Sequence, residues 1–207
     1  MTGPSATEAK AELRRLLETL ERQRTSVMQR VCGPDVPEPW AVYPGESGVF
    51  DRASRSQFYY HRHEPSDHEA GHFHTVRLFR DRVAHLVGIS MAPDGWPQAL
   101  FTVNLWLVGD GEESVSNLKT YVRRFRLDER QAEADMSRAG SDASRPLMAA
   151  VICFVNLVFQ AFLSDIEALQ VEKARAIEQY RKSHGGSDPF DDRSVEVLSR
   201  IAIDVRA

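Results

Sequence analysis

The sequence has few cysteines and no obvious leader. Its 207 residues include two cysteines, Cys32 and Cys153, which lie far apart without a CxxC neighbour. A thiolate metal site is therefore disfavoured, and the apolar helical surroundings of Cys153 favour a small buried thiol over half of a disulfide. The N-terminus lacks the basic-then-apolar layout of a secretory signal. We expect a cytoplasmic protein.

No sign of charge dominates the chain. It has 26 Lys and Arg against 30 Asp and Glu, a formal net charge of −4. That balance gives no general positive field for phosphate backbones, so nucleic acid is not the expected partner. The sequence also has no Gly-rich phosphate loop, dinucleotide fingerprint or GxSxG elbow. The common nucleotide-dependent and serine-hydrolase signatures are therefore missing.

Long hydrophobic runs are scarce as well. The most apolar stretch is Leu147 to Leu163, which contains Asn156 and Gln160 and continues into a charged segment. It is short for a membrane span, so it predicts a buried core helix and no membrane partner. The hydrophobic content of 42% is ordinary for a globular protein.

Apolar residues at helical spacing predict two helical regions. The leucines between residues 13 and 20 indicate an amphipathic N-terminal helix over 5–31. A second helical part covers 114–183, where Ser114 or Ser116 caps a first helix. A polar loop or frayed helix follows over 128–143. The segment beginning at Ser144 then predicts a long helix to about Ser183, with a capping serine and a proline in its first turn.

Alternating residues predict a β region over 56–108. The expected strands are Ser56–His63, His72–Arg80, His85–Met91 and Gln98–Val108. Short connections, including a turn over 92–96, make them an antiparallel meander, and a terminal strand over 195–205 can return to the sheet. We therefore predict one α+β domain over 1–207. Its antiparallel four- to five-stranded sheet packs against the long C-terminal-half helix and the N-terminal helix.

Histidines are concentrated in the β region. Six of the seven lie between His61 and His85. His61 and His63 are two residues apart, as are His72 and His74, and such residues face the same side of a strand. If His63 lies opposite His72, then His61 lies opposite His74 and four imidazoles form one patch. A slip of one residue would send the pairs to opposite faces.

This patch predicts a metal site made by His61, His63, His72 and His74. Neutral imidazole is a good ligand for Fe, Zn, Cu and Ni, which the sequence does not distinguish. Three histidines also leave a position for water or substrate. Glu69 and His85 are candidates for proton transfer. Tyr59 and Asn104 are candidate polar groups beside the cofactor, and His68 is a second-tier ligand.

Three functions stay open at this point. The first is a metal-dependent enzyme acting on a small-molecule substrate. The second is a haem protein that uses one of the same histidines, with apolar walls from residues such as Met91, Phe101 and Trp106. The third is a non-catalytic binding module, in which the long helices form a homodimer and the histidines are surface polar groups.

The sequence resembles a family of uncharacterised bacterial proteins defined only as a domain of unknown function. The resemblance covers most of 42–205, and its main stretches are Tyr43–Gly45, Ser56–His63, Glu69–Thr75, His85–Met91, Leu100–Asn104 and Asp188–Asp192. The family usually has histidine where this chain has Ala70. The resemblance therefore implies that position 70 is not an indispensable ligand, and His68 is the candidate to replace it. It supports the alignment of the four paired histidines and Glu69, and it brings no activity.

Overall fold

The structure is a computed structural model that describes residues 4–33, 36–45, 47–64, 66–109, 111–132 and 145–207. Its helices are α1 (Ala6–Arg22), α2 (Val27–Cys32), α3 (Leu105–Val108), α4 (Val115–Arg124), α5 (Arg145–Ala161) and α6 (Leu163–Ser183). Its strands are β1 (Val49–Asp51), β2 (Ser56–His61), β3 (Gly71–Leu78), β4 (Val83–Met91), β5 (Pro97–Val103) and β6 (Val197–Ala202). The predicted α+β class is confirmed.

All of these strands belong to one open antiparallel sheet. Its order, β1-β2-β3-β4-β5-β6, follows the chain. The sequence predicts four or five strands, and the additional one is the three-residue β1, which pairs with β2. The terminal strand expected over 195–205 is β6, which pairs with β5 and forms an edge of the sheet. The predicted turn over 92–96 joins β4 to β5.

Helices cover one face of this sheet. Phe58, Tyr60 and Phe73 are buried on that face, and the Phe73 ring lies 5.5 Å from the ring of Phe154 on α5. Helix α1 packs on α5, while α6 packs on β6. Because alternate strand residues point to opposite sides, His72 and His74 project from the face away from α5.

Both long helices predicted from the sequence are broken. The helix expected over 5–31 is two helices, because Ser26 and Gln29 form a capping box that starts α2. The helix expected to end near Ser183 does end there, but it breaks at Phe162 and bends by 73° between α5 and α6. The bend allows α5 and α6 to pack on different elements. The predicted cap Ser144 lies outside the described residues.

The apolar run predicted as a core helix lies in α5, where Met148, Ile152 and Val155 are fully buried. Within the described ranges, no single helix has the length and apolar character to cross a membrane. Helices α5 and α6 meet that test only together, as the bent pair. Cys153 on α5 and Cys32 on α2 are free thiols.

Two further boundaries differ from the sequence patterns. The predicted strand Gln98–Val108 ends at Val103, because Asn104 caps the short helix α3 with its side-chain oxygen. The strand predicted to reach His63 ends at His61. Ser114, one of the two serines predicted as a cap, caps α4, and the buried residues of this helix are Leu118 and Val122.

Gly88 is a position on the histidine face where a side chain would disturb the sheet. A Cβ atom there would lie 2.3 Å from Cζ of Phe101. We expect Gly88→Ala to lower the free energy of unfolding by about 1–3 kcal/mol, because the Phe101 ring must move. Urea denaturation tests this. Gly111→Ala is the control, since its Cβ would meet nothing within 4 Å. Equal stability of both variants would contradict the prediction.

Candidate metal centre

The sheet face away from α5 carries two rows of paired residues that run across five strands. The first row is Tyr59, His74, Gly88, Phe101 and Arg200; the second is His61, His72, Ser90, Ala99 and Ala202. Three histidines from neighbouring strands β2 and β3 therefore share one face. This part of the sheet forms the candidate site.

The predicted pairing of β2 with β3 is wrong by two residues. His61 lies opposite His72, and Tyr59, not His61, lies opposite His74. Since side chains repeat every two residues, a shift of two keeps every imidazole on its predicted face. His63, by contrast, falls beyond the end of β2.

His61, His72 and His74 point their Nε2 atoms at one another. The Nε2 atom of His61 lies 2.6 Å from that of His72 and 3.1 Å from that of His74. Zn–N bonds of 2.0–2.1 Å in a tetrahedral site require N···N separations of about 3.3 Å. The three residues form a group that could hold a metal ion. His72 and His74 are 4% and 5% exposed, while His61 is half-buried.

His63 lies at the more exposed side of this cluster. Its ring centroid is 5.2 Å from that of His61 and 5.0 Å from that of His72. Its ring stacks on Trp40 at 4.3 Å, and Trp40 is 61% exposed. The structure thus places His63 beside the three converging histidines, on the exposed side of the cluster and not within it.

A β-bulge brings His85 to the cluster. Thr75 pairs with Val87, but the next residue of β3, Val76, pairs with His85. The extra residue reverses the face on which His85 would otherwise lie, so its Nε2 atom comes within 3.0 Å of Nδ1 of His74. His85 is fully buried behind His74.

Glu69 lies behind His72 in a similar way. One of its carboxylate oxygens is 3.4 Å from Nδ1 of His72, and its other oxygen is buried with no hydrogen-bond partner in the described structure. Burial raises the pKa of Glu69, but the neighbouring His72, Ser90 and Arg200 side chains outweigh it and leave the pKa below its ordinary value. Glu69 therefore carries a negative charge next to the cluster.

The contacts of Glu69 with His72 and of His85 with His74 bear on which ring nitrogen of His72 and His74 carries the hydrogen. An ionised carboxylate can only accept, so the close approach of Glu69 favours the hydrogen of His72 on Nδ1. When Nδ1 of His74 likewise donates to His85, the Nε2 atoms of both histidines are lone pairs directed at the same point. A single hydrogen on Nε2 of His61 can pair fully with only one of these two lone pairs. A cation at this point would satisfy all three nitrogens.

Protonation of the histidines does not supply that positive charge near pH 7. Burial, followed by the neighbouring His72 and His63, lowers the pKa of His61 to about 3. Burial also lowers the pKa of His63, and it holds the pKa values of His74 and His85 well below the usual range. These imidazoles are neutral near pH 7, which is the form that binds metal.

The remaining candidates from the sequence are Tyr59, which lies beside the cluster, and Asn104 and His68, which lie elsewhere. The Tyr59 ring lies 5.1 Å from that of His74, and burial raises the pKa of Tyr59 to about 12, so its hydroxyl keeps its hydrogen. Asn104 lies at the start of α3, where its amide donates to the carbonyls of Pro189 and Val195. Its role is to join that segment to the end of β5. His68 is exposed on the loop before β3.

Sequence patterns did not reveal several neighbours of the cluster. The Phe101 ring lies 5.3 Å from His72 and 6.1 Å from His74, and Arg200 lies across from Phe101 on β6. Only the register of four strand pairs brings these residues to the histidines. The sequence predicts Phe101 as an apolar wall of a haem pocket, but nothing in the sequence around Arg200 indicates its position.

The fold and the cluster define an α+β protein with a candidate three-histidine metal centre. The chain belongs to the family described as Domain of unknown function (DUF6969), whose model matches residues 7–203. Neither a curated protein nor a solved structure matches it.

Acid is expected to destabilise the metal-free protein. His74 and His85 stay neutral in the fold, whereas in the unfolded chain they take up protons below their ordinary pKa of about 6.5. The free energy of unfolding should therefore fall as the pH drops below about 6.5, by about 1.4 kcal/mol per pH unit for each histidine that stays neutral. Urea denaturation at about pH 7.5 and about pH 5.5 measures this. Equal free energies of unfolding at the two pH values would contradict the conclusion that His74 and His85 stay neutral in the folded protein.

Proposed function

We propose that this protein is a metal-dependent enzyme that binds one divalent transition-metal ion and acts on a small molecule. The Nε2 atoms of His61, His72 and His74 are the ligands. The Nε2 atoms of His72 and His74 both lie within 3.1 Å of the Nε2 atom of His61, and this observation carries the proposal. The depressed pKa values of His61 and His74 support it, because neutral imidazoles bind a metal ion in preference to a proton.

A single ion accounts for the site better than haem. Haem iron takes axial ligands above and below a wide porphyrin plane. The three imidazoles here come from adjacent strands to one point, so a porphyrin on any one of them would meet the other two. One small ion uses all three.

A centre of this kind has an open coordination position. When bound, a divalent ion with three histidine ligands supplies a Lewis acid and lowers the pKa of a water at the open position. His63 lies at the exposed side and is neutral, so we assign it proton transfer between the site and solvent. Glu69 and His85 contact the far nitrogens of two ligands, and we assign them the orientation of His72 and His74.

Metal content tests the centre directly. We expect about one ion per chain after incubation with Zn²⁺ and dialysis, measured by elemental mass spectrometry. His72→Ala and His74→Ala should lose it, because two imidazoles hold an ion far more weakly than three. His68→Ala is the matched control, since that histidine is exposed on the neighbouring loop.

A bound ion should also stabilise the fold. At a hundredfold excess of free metal over Kd, the expected gain is about 2.7 kcal/mol. Wild-type protein that retains no metal and is unaffected by chelators would contradict the proposal and favour a non-catalytic module. Equal metal loss in His68→Ala would show that the ion is held elsewhere.

The role of Glu69 has its own test. Glu69→Gln keeps the size of the side chain and removes its charge, so we expect metal affinity to fall by about 10–100-fold. Competition with a chelator of known affinity measures the change. Glu64→Gln, exposed on the same loop, is the control and should retain wild-type affinity. Unchanged affinity in Glu69→Gln would remove Glu69 from the centre.

A further inference from the structure

We infer that Arg200 binds a carboxylate group of the substrate beside the metal ion, which makes the substrate a small organic anion. This inference rests on the proposed metal centre and adds the class of molecule that it takes. It is carried by the position of Arg200 on the histidine face, by its exposure and by the single long hydrogen-bond contact that the described residues offer its guanidinium.

Strand pairing brings Arg200 onto the same face as the ligands. Arg200 pairs with Phe101, Phe101 with Gly88, and Gly88 with His74. The guanidinium lies 5.8 Å from the Phe101 ring centroid, and that ring contacts His72 edge-on at 5.3 Å. Arg200 and the ligand His72 therefore contact the same Phe101 ring, which places both beside one stretch of this face.

Most N–H donors of the Arg200 guanidinium have no hydrogen-bond contact among the described residues. Its closest hydrogen-bond contact is a long one, 3.4 Å from Nη2 to the Ser90 hydroxyl. Within the described part of the chain, no carboxylate lies within 4.0 Å of Arg200, whereas Arg123 and Arg181 are both paired with carboxylates. Arg200 is also exposed. A guanidinium has five N–H donors in a planar fork that fits a carboxylate with two parallel hydrogen bonds.

Two acidic residues act electrostatically on this part of the face. Glu69 is within electrostatic range of Arg200, but one of its oxygens faces His72 and the other is buried. Glu196 precedes Arg200 by four residues and exerts its charge on His63. An anion is therefore expected beside Arg200 and not beside Glu196.

Cobalt substitution allows metal binding and anion binding to be read separately. Co²⁺ bound to imidazole nitrogens gives visible absorption bands that change when a ligand enters its coordination sphere. The probes are malonate, whose second carboxylate can reach beyond the ion, and acetate, which has only one. We expect Arg200→Gln to retain the Co²⁺ bands and to weaken malonate binding by at least about tenfold, with a smaller effect on acetate.

Two variants complete the design. Arg200→Lys keeps the charge without the fork and should bind malonate with intermediate affinity. Arg175→Gln removes an equal charge from the exposed surface of α6 and should match the wild type. Intact Co²⁺ bands with unchanged malonate affinity in Arg200→Gln would overturn this inference alone. Wild-type protein without Co²⁺ bands would overturn the metal centre and the inference with it.

Discussion

The pairing of β2 with β3 is the constraint on which the candidate site depends. It sets His61 directly opposite His72, and the two-residue period of a strand brings His74 to the same face. Each of the other features is arranged around that point: His85 through the bulge in β3 and β4, Glu69 from the preceding loop, and Phe101 and Arg200 through β5 and β6. A change of one residue in this register would separate the three nitrogens.

Converging imidazoles are costly without a positive charge between them. Burial disfavours protonation of His61 and His74, while Glu69 behind His72 favours the tautomer of His72 whose Nε2 lone pair is directed inward. The arrangement is therefore incomplete as a hydrogen-bond network of neutral groups. It is complete as the ligand set of a divalent ion, with Glu69 supplying part of the balancing charge.

Periodicity and local signals predicted much of the fold. The strands, the return of the terminal segment and the shared face of the paired histidines follow from alternation, which does not depend on the exact register. The register itself was wrong by two residues, because nothing local shows that β2 ends at His61. The bulge that turns His85 toward His74 and the break at Phe162 depend on packing between distant segments. The position of Arg200 on the histidine face could not be predicted for the same reason, since it follows from the order of the strands in the sheet.

Anomalous diffraction from a crystal grown with Zn²⁺, recorded on both sides of the zinc absorption edge, tests the central claim most directly. The account predicts one strong peak bonded to the Nε2 atoms of His61, His72 and His74 at about 2.0–2.1 Å, with a further position occupied by solvent. A map with no peak at this point, or with the three rings turned away from one another, would contradict it.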